Sequence, residues 1–317
     1  MAAKDLITSA RALNNLQGQT DSGNIVGTLI TAVSDAIEKY CRRRFVSKAF
    51  DELYDGTGDR RLLLRQYPIQ SVTSVRYRPV TVLKITNTDP TNVQARVAVT
   101  SVGLKLTRSK GGGTLTEAIQ TWSNYPTLTL LASAVTAIGS GWSGQVVGDA
   151  TNYGGWPSTD LYVPGSYGDA LEGTGTLESQ GALSCAAGSF AELKMHTYEL
   201  QGYQWDARGW LLRAIPYTDP ELLHPEDLIF PVGINNFRVQ YTAGYTTVPE
   251  AVQEACAEWV AELYWQAQRD PLLASTKVSG GTATVLRPPG GWAGRPSDNV
   301  ARLLAPYRRL SVATDQG

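Results

Sequence analysis

Residues 22–69 read SGNIVGTLITAVSDAIEKYCRRRFVSKAFDELYDGTGDRRLLLRQYPI, and this stretch decides the fold. Val26, Leu29, Ile30, Val33, Ile37, Tyr40 and Cys41 recur at steps of three and four, which predicts one apolar face of a long helix. Ser34, Asp35, Glu38 and Lys39 fall on the other face. Arg42, Arg43 and Arg44 close the helix, where cations meet the negative end of its dipole. The period then changes. Phe50, Leu53 and Tyr54 run to Asp55-Gly56, a tight-turn signal, and Leu62, Leu63 and Leu64 run to Tyr67-Pro68-Ile69, so a pair of strands is expected. A helix and a two-stranded ribbon bury too little apolar surface alone, so other parts of the chain, or a neighbouring subunit, must cover them.

Downstream, Val72, Val75 and Tyr77 alternate with polar residues as a third strand. Residues 79–213 differ in texture. Val82, Ile85, Ala95, Val97, Val99, Leu104 and Leu106 lie in alternating runs that predict a β meander with Gly111-Gly112-Gly113 at a hairpin tip. Leu128, Leu131, Val135 and Ile138 predict a short amphipathic helix stopped by Gly139 and Gly141. Residues 142–189 read as long loops with short strands, and residues 193–212 return to strand character. This segment is expected to be a β-rich domain inserted into a core made of residues 1–78 and 214–317. In that core, residues 237–245 form a strand. Val248-Pro249-Glu250 opens a second long helix, with Val252, Cys256, Trp259, Val260, Leu263 and Tyr264 on one face. Pro296-Ser297-Asp298 opens a last helix through Leu303, Leu304, Tyr307 and Leu310.

The 317 residues carry 28 Lys and Arg against 29 Asp and Glu, so nothing in the overall charge points to nucleic acid or an acidic membrane. Cys41, Cys185 and Cys256 are odd in number and far apart, which speaks against a disulfide framework and for a reducing compartment. No apolar run approaches membrane-spanning length, and no secretory signal region is expected. Catalytic patterns are absent. His196 and His224 sit in no nucleophile or metal pattern, Gly141-Trp142-Ser143-Gly144-Gln145 lacks the final glycine of a nucleophile elbow, and the three glycines at 111–113 precede no phosphate-binding helix. Neither an enzyme nor a cofactor or metal is expected.

The order of several packing and turn signatures carries more information than any one of them. Residues 36–45 read Ala-Ile-Glu-Lys-Tyr-Cys-Arg-Arg-Arg-Phe; Tyr54-Asp55-Gly56 and Tyr67-Pro68-Ile69 follow, then Val72 to Val75. Far downstream come Tyr241-Thr242-Ala243-Gly244-Tyr245, Val248-Pro249, a Trp-bearing helix and Leu304-Ala305-Pro306-Tyr307-Arg308-Arg309. Over residues 20–78 and 235–312 this resembles the head–tail connector (adaptor) proteins of tailed bacteriophages. The resemblance implies an α+β fold: a helical connector core of long amphipathic helices plus a small antiparallel β ribbon. The inserted β-rich domain is the main departure from the family, and it is expected to project outward because a channel or a ring interface has no room for it. It implies a homo-oligomeric ring, usually of twelve copies, in the virion neck, assembled in the host cytoplasm. The ring docks on the portal protein and meets a downstream neck or tail-completion protein. Its lumen extends the channel for DNA ejection, with DNA only as transient cargo.

Arg42, Arg43, Arg44, Trp292, Tyr307, Arg308 and Arg309 are the expected partner-interface residues. The arginine run has a plainer reading as a helix-end cap, with one arginine paired to Asp51 or Asp55. Trp292, between glycine-rich turns, is hard to bury within one subunit and fits a partner pocket. A different class of function, a surface module in which the β-rich segment binds carbohydrate or protein, is the alternative.

Overall fold

A computed structural model describes residues 5–16, 25–110, 115–163, 182–183, 190–200, 202–213, 229–267, 276–277, 283–284 and 296–309. The chain divides into two compact units. One comprises Met1–Lys48, Arg65–Pro68 and Ala243–Gly317, and the other Ala49–Leu64 and Ile69–Thr242. The first is helical and the second is built on strands.

The helical unit contains α1 (Ser9–Asn15), α2 (Ile25–Cys41) and, after the whole β unit has intervened, α5 (Glu250–Ala267) and α6 (Asp298–Leu304). The apolar periodicity of α2 buries Val26, Ile30, Val33, Ile37 and Cys41 in one core with Val252, Cys256, Trp259 and Val260 of α5 and Val300 and Leu304 of α6. Thr8 caps α1, its hydroxyl accepting from the Arg11 N–H, and Ser297 caps α6 through the Val300 N–H. Arg11 clips α1 to the first turn of α5, donating to Gln253 at 3.0 Å and pairing with Glu250 and Glu254. The buried Ser34 hydroxyl accepts the Leu6 N–H at 3.0 Å and touches the Cys256 thiol. Ser34 and Glu38 thus lie inside, in contrast to the polar outer face expected for them.

The β unit is organised on β3 (Ile69–Asn87), whose 19 residues make it the longest strand described. A sheet runs in the order β1 (Lys48–Gly56), β12 (Gly233–Ala243), β3, β7 (Trp142–Val146), and β9 (Phe190–Glu199) also pairs with β3. A second sheet has the order β6 (Leu115–Thr121), β5 (Gly103–Lys110), β4 (Asn92–Val99), β8 (Ala182–Leu183). Its Val97, Val99, Leu104 and Leu106 share a core with Val82 and Ile85 of β3 and with Leu128, Leu131 and Val135 of α3 (Leu128–Ala137). A third sheet joins β10 (Tyr203–Trp205), β11 (Trp210–Arg213) and β2 (Arg61–Leu63), with Leu62 opposite Leu211. The short helix α4 (Ala150–Tyr153) lies in this unit, and β13 (Thr276–Lys277) and β14 (Ala283–Thr284) pair in the helical one.

The expected fold class is overturned. Among the described residues strands outweigh helices, only the helices α2 (17 residues) and α5 (18 residues) exceed ten residues, and the strands of the β unit form antiparallel sheets of three to five strands in place of a small ribbon on long helices. β1 and β2 do not form a hairpin with each other: β1 pairs with β12, about 180 residues away, and β2 with β11. Asp55-Gly56 ends a strand instead of making a turn. The physical reason lies in β3. Its pairing with β9 carries on across Pro79, which sits opposite His196, by way of a left-handed φ of 62° at Arg78 and a register shift between Thr81 and Leu83, so the strand expected to stop near residue 77 runs on to Asn87. Compactness accordingly divides the chain at 49–64 and 69–242, not at 79 and 213.

One polar face of the β1–β12–β3 sheet is held by a buried guanidinium. Arg238 donates to both carboxylate oxygens of Asp51, at 2.9 and 2.7 Å, and to the Asp160 carbonyl at 2.8 Å. Arg76 of β3 pairs with Asp160 at 2.7 Å, and Gln240 joins Asp51 to Ser74. On the other face Tyr54 and Tyr241 both donate to the buried Glu52 carboxylate. Beside this network the buried His196 donates its Nε2–H to the Asn235 carbonyl at 2.7 Å, where Asn235 holds a left-handed φ of 49°.

Burial pulls the His196 imidazole below its ordinary value. The Arg238 and Arg76 charges act in the same direction, while the Asn235 carbonyl and Asp51 oppose it. The unfolded chain therefore takes up this proton first as the pH falls below about 6.5, and stability is lost on the acid side. Urea unfolding followed from about pH 7.5 to about pH 5.5 is expected to show His196→Gln losing less stability than the wild type, by up to about 1.4 kcal/mol per pH unit. Identical profiles would contradict this assignment.

Candidate functional site

The site is the C-terminal end of α2, where most of the residues expected at an interface meet. Arg42 adopts φ 54°, its N–H bonds the Lys39 carbonyl at 3.2 Å, and the Arg43 N–H reaches back to the Glu38 carbonyl at 3.1 Å. This pair of bonds is a Schellman motif, and Arg42 holds the left-handed position normally given to glycine. The reversal sends the three arginines in different directions. Arg42 is exposed, while Arg43 and Arg44 are buried.

Arg43 is 2% exposed and is enclosed by aromatic rings. Its guanidinium carbon lies 3.7 Å from the Tyr67 ring centroid and 5.2 and 5.3 Å from those of Phe45 and Tyr245. It also donates to the Tyr67 carbonyl. These contacts join three segments far apart in sequence. The Tyr245 N–H bonds the Phe45 carbonyl at 2.7 Å, the Ser47 N–H bonds the Tyr245 carbonyl, and the Gly244 N–H bonds the Pro68 carbonyl at 3.0 Å. Gly244 has φ 108°, and a Cβ there would come 2.7 Å from the Val46 carbonyl oxygen, so this crossing requires glycine.

Arg44 pairs with Glu38, which is 1% exposed and also accepts the Phe45 N–H at 3.2 Å. The Arg44 N–H itself bonds Gln66 Oε1 at 2.8 Å. Burial pushes the Glu38 carboxyl up, against the Arg44 charge and the Phe45 N–H, which pull it down. Burial likewise pushes the neighbouring Cys41 thiol up to about 12 despite the facing charges of Arg43 and Arg308, so it stays protonated at neutral pH.

The C-terminal segment returns to the same place. The Arg309 N–H bonds the Cys41 carbonyl at 3.0 Å and its guanidinium bonds the Arg65 carbonyl at 2.9 Å. Arg308 is exposed, 5.3 Å over the Tyr40 ring, and the half-buried Tyr307 meets Phe45 edge-on at 6.0 Å. The structure thus brings together Arg42, Arg43, Arg44, Tyr307, Arg308 and Arg309, of which Arg42 and Arg308 face solvent. Trp292 lies outside the described residues, as do His224 and Cys185. The plainer reading of the arginine run had the wrong carboxylates: Asp51 pairs with Arg238, Asp55 accepts the Asn235 N–H, and the partner of Arg44 is Glu38.

Sequence reasoning missed Glu38, Arg65, Gln66 and Tyr67 as members of the site. The available signal was Glu38 on the same helical row as Ser34, six residues before Arg44. Among the described residues no group of three or more His, Cys, Asp or Glu side chains could hold a metal ion, and no helix is long and apolar enough to cross a membrane.

Removing one member of the buried pair strands the other. Arg44→Met is expected to cost about 3–5 kcal/mol in urea unfolding, and Glu38→Gln with Arg44→Met to recover most of it, because Gln still accepts the Phe45 N–H. Equal losses in the single and double variants would contradict the pairing. Arg42→Gly relieves the left-handed strain and is expected to raise stability by about 0.5–1 kcal/mol, net of the extra freedom glycine gives the unfolded chain. A lowered melting temperature would contradict that.

No protein-family model matches this chain, and no curated protein matches it, so its reading rests on its own residues.

Proposed function

We propose that this chain is a structural subunit of the neck of a tailed bacteriophage: copies form a ring that docks on the portal, extends the DNA channel and joins head to tail. One observation carries the reading. The signatures that make the sequence resemble head–tail connectors are scattered over some 270 residues, yet those of residues 36–45, Tyr67-Pro68, Gly244-Tyr245 and 304–309 converge on the end of α2. Their order in the chain is what a shared three-dimensional knot would preserve. Arg43 at its centre touches all but the last of these segments, and that last one meets it through Phe45 and Cys41.

A subunit of this kind works by surface and shape, without bond-making chemistry. Heterologous side-by-side contacts between identical copies close into a ring when the rotation allows it, which fits a role around a channel. The partners proposed are therefore further copies of the chain, the portal, and the next neck or tail-completion component, with the virion head–tail junction as the location.

Mixing the purified chain with a purified portal ring and imaging the particles tests this. The expected result is a second ring stacked coaxially on the portal with an open centre. Portal particles that stay bare, with the chain monomeric and positive in a glycan-binding screen, would overturn the reading in favour of a surface-binding module.

A further inference from the structure

The end of α2 is overcharged for its own needs. Five guanidinium-bearing residues are bonded into one knot there: Arg42, Arg43, Arg44, Arg308 and Arg309. Among the described residues, Glu38 is the one carboxylate that Arg42, Arg43, Arg44, Arg308 and Arg309 meet, and Arg44 already uses it. Among the described residues Arg42, Arg308 and Arg309 form no ion pair. The helix terminus supplies only about half a negative charge. The excess extends to the whole unit, in which Lys and Arg outnumber Asp and Glu by 15 to 11, while the β unit has 13 against 18.

Two features aim this charge outward. Arg42 occupies a backbone position that glycine fills without strain, at a cost of roughly 1 kcal/mol, and its exposed side chain makes no hydrogen bond among the described residues. Arg308 is exposed but held, its guanidinium over the Tyr40 ring, and Arg309 beside it is fixed through the Arg65 carbonyl. Cations already held in place lose less freedom when an anion arrives.

We infer that this rim is a docking site for a carboxylate-rich protein segment, with Arg42 and Arg308 as contact residues and Arg309 as a positioning residue. The inference deepens the neck reading and rests on it for the source of that segment, a neighbouring virion protein. Guanidinium forks accept carboxylate and phosphate alike, so the arrangement of charge decides between them. A duplex presents a phosphate about every 3.4 Å along each strand and asks for a track of cations. Here the exposed arginines, Arg42 and Arg308, cluster at one helix end, a compact patch and not a track.

Fluorescence anisotropy at low salt with a labelled octaglutamate peptide, and separately with a labelled short DNA duplex, tests the site on the full chain. The wild type is expected to bind the peptide more tightly than the duplex. Arg42→Gly with Arg308→Gln is expected to weaken peptide binding at least about tenfold while the fold is kept, since one change relieves strain and the other is at the surface. Arg60→Gln with Arg208→Gln, which removes two exposed cations of the β unit, is expected to leave peptide binding unchanged. Absence of peptide binding, an equal loss in the control pair, an unaffected Arg42/Arg308 variant, or tighter binding of the duplex would each overturn the inference. Because the assay needs neither ring nor portal, peptide binding without a portal-docked ring would sink the neck reading alone. A docked ring without peptide binding would sink this inference alone.

Discussion

A guanidinium enclosed by three aromatic rings holds the helical unit together. Arg43 is out of water, so its charge has to be met by ring faces and by the Tyr67 carbonyl, and each of those groups has to be held in turn. The backbone bonds among Phe45, Ser47, Pro68, Gly244 and Tyr245 do the holding. The requirement reaches back to the Schellman turn at Arg42, which points Arg43 inward, and to Glu38, which neutralises Arg44 beside it. Folding of this unit therefore needs contributions from residues near 40, near 67, near 245 and near 305 together.

The β unit solves a similar problem in a different way. Arg238 is as buried as Arg43, but it is met by a bidentate carboxylate, Asp51, and by Asp160, which also takes Arg76. A charge-assisted pair fixes register as well as energy, and here it ties β1 to β12 and both to β3. Burying these charges costs desolvation, which the paired carboxylates and their hydrogen bonds offset. Its aromatic counterpart on the opposite face, Glu52 between Tyr54 and Tyr241, pushes the Tyr241 phenol well above its ordinary range through burial and the neighbouring Tyr54 and Glu52.

The sequence made the helices legible and left the sheets largely hidden. The apolar faces of α2 and α5 follow from spacing alone, the start of α6 from Pro296-Ser297-Asp298, and the α3 helix from its apolar steps before Gly139. Strand partners are different, because alternation marks a strand without saying which strand it pairs with. Nothing local in residues 48–63 distinguishes a hairpin from two strands that pair with β12 and β11 more than a hundred residues away. At the site, the arginines, Tyr307 and the tyrosine-proline and glycine-tyrosine signatures were visible. Glu38 was misassigned because a carboxylate on the edge of an apolar stripe reads as solvent-facing until its buried cation is known. The cage around Arg43 was invisible because it is made by groups about 200 residues apart.

The central claim, that Arg43 couples these distant segments, is tested most directly by hydrogen exchange followed by mass spectrometry on Arg43→Gln. The account predicts faster exchange together at Phe45, Ser47, Gly244, Tyr245 and Arg309, whose N–H groups are bonded within the knot, with the β3–β9 ladder unchanged. Faster exchange confined to the residues flanking position 43, or spread evenly through the β3–β9 ladder as well, would contradict it.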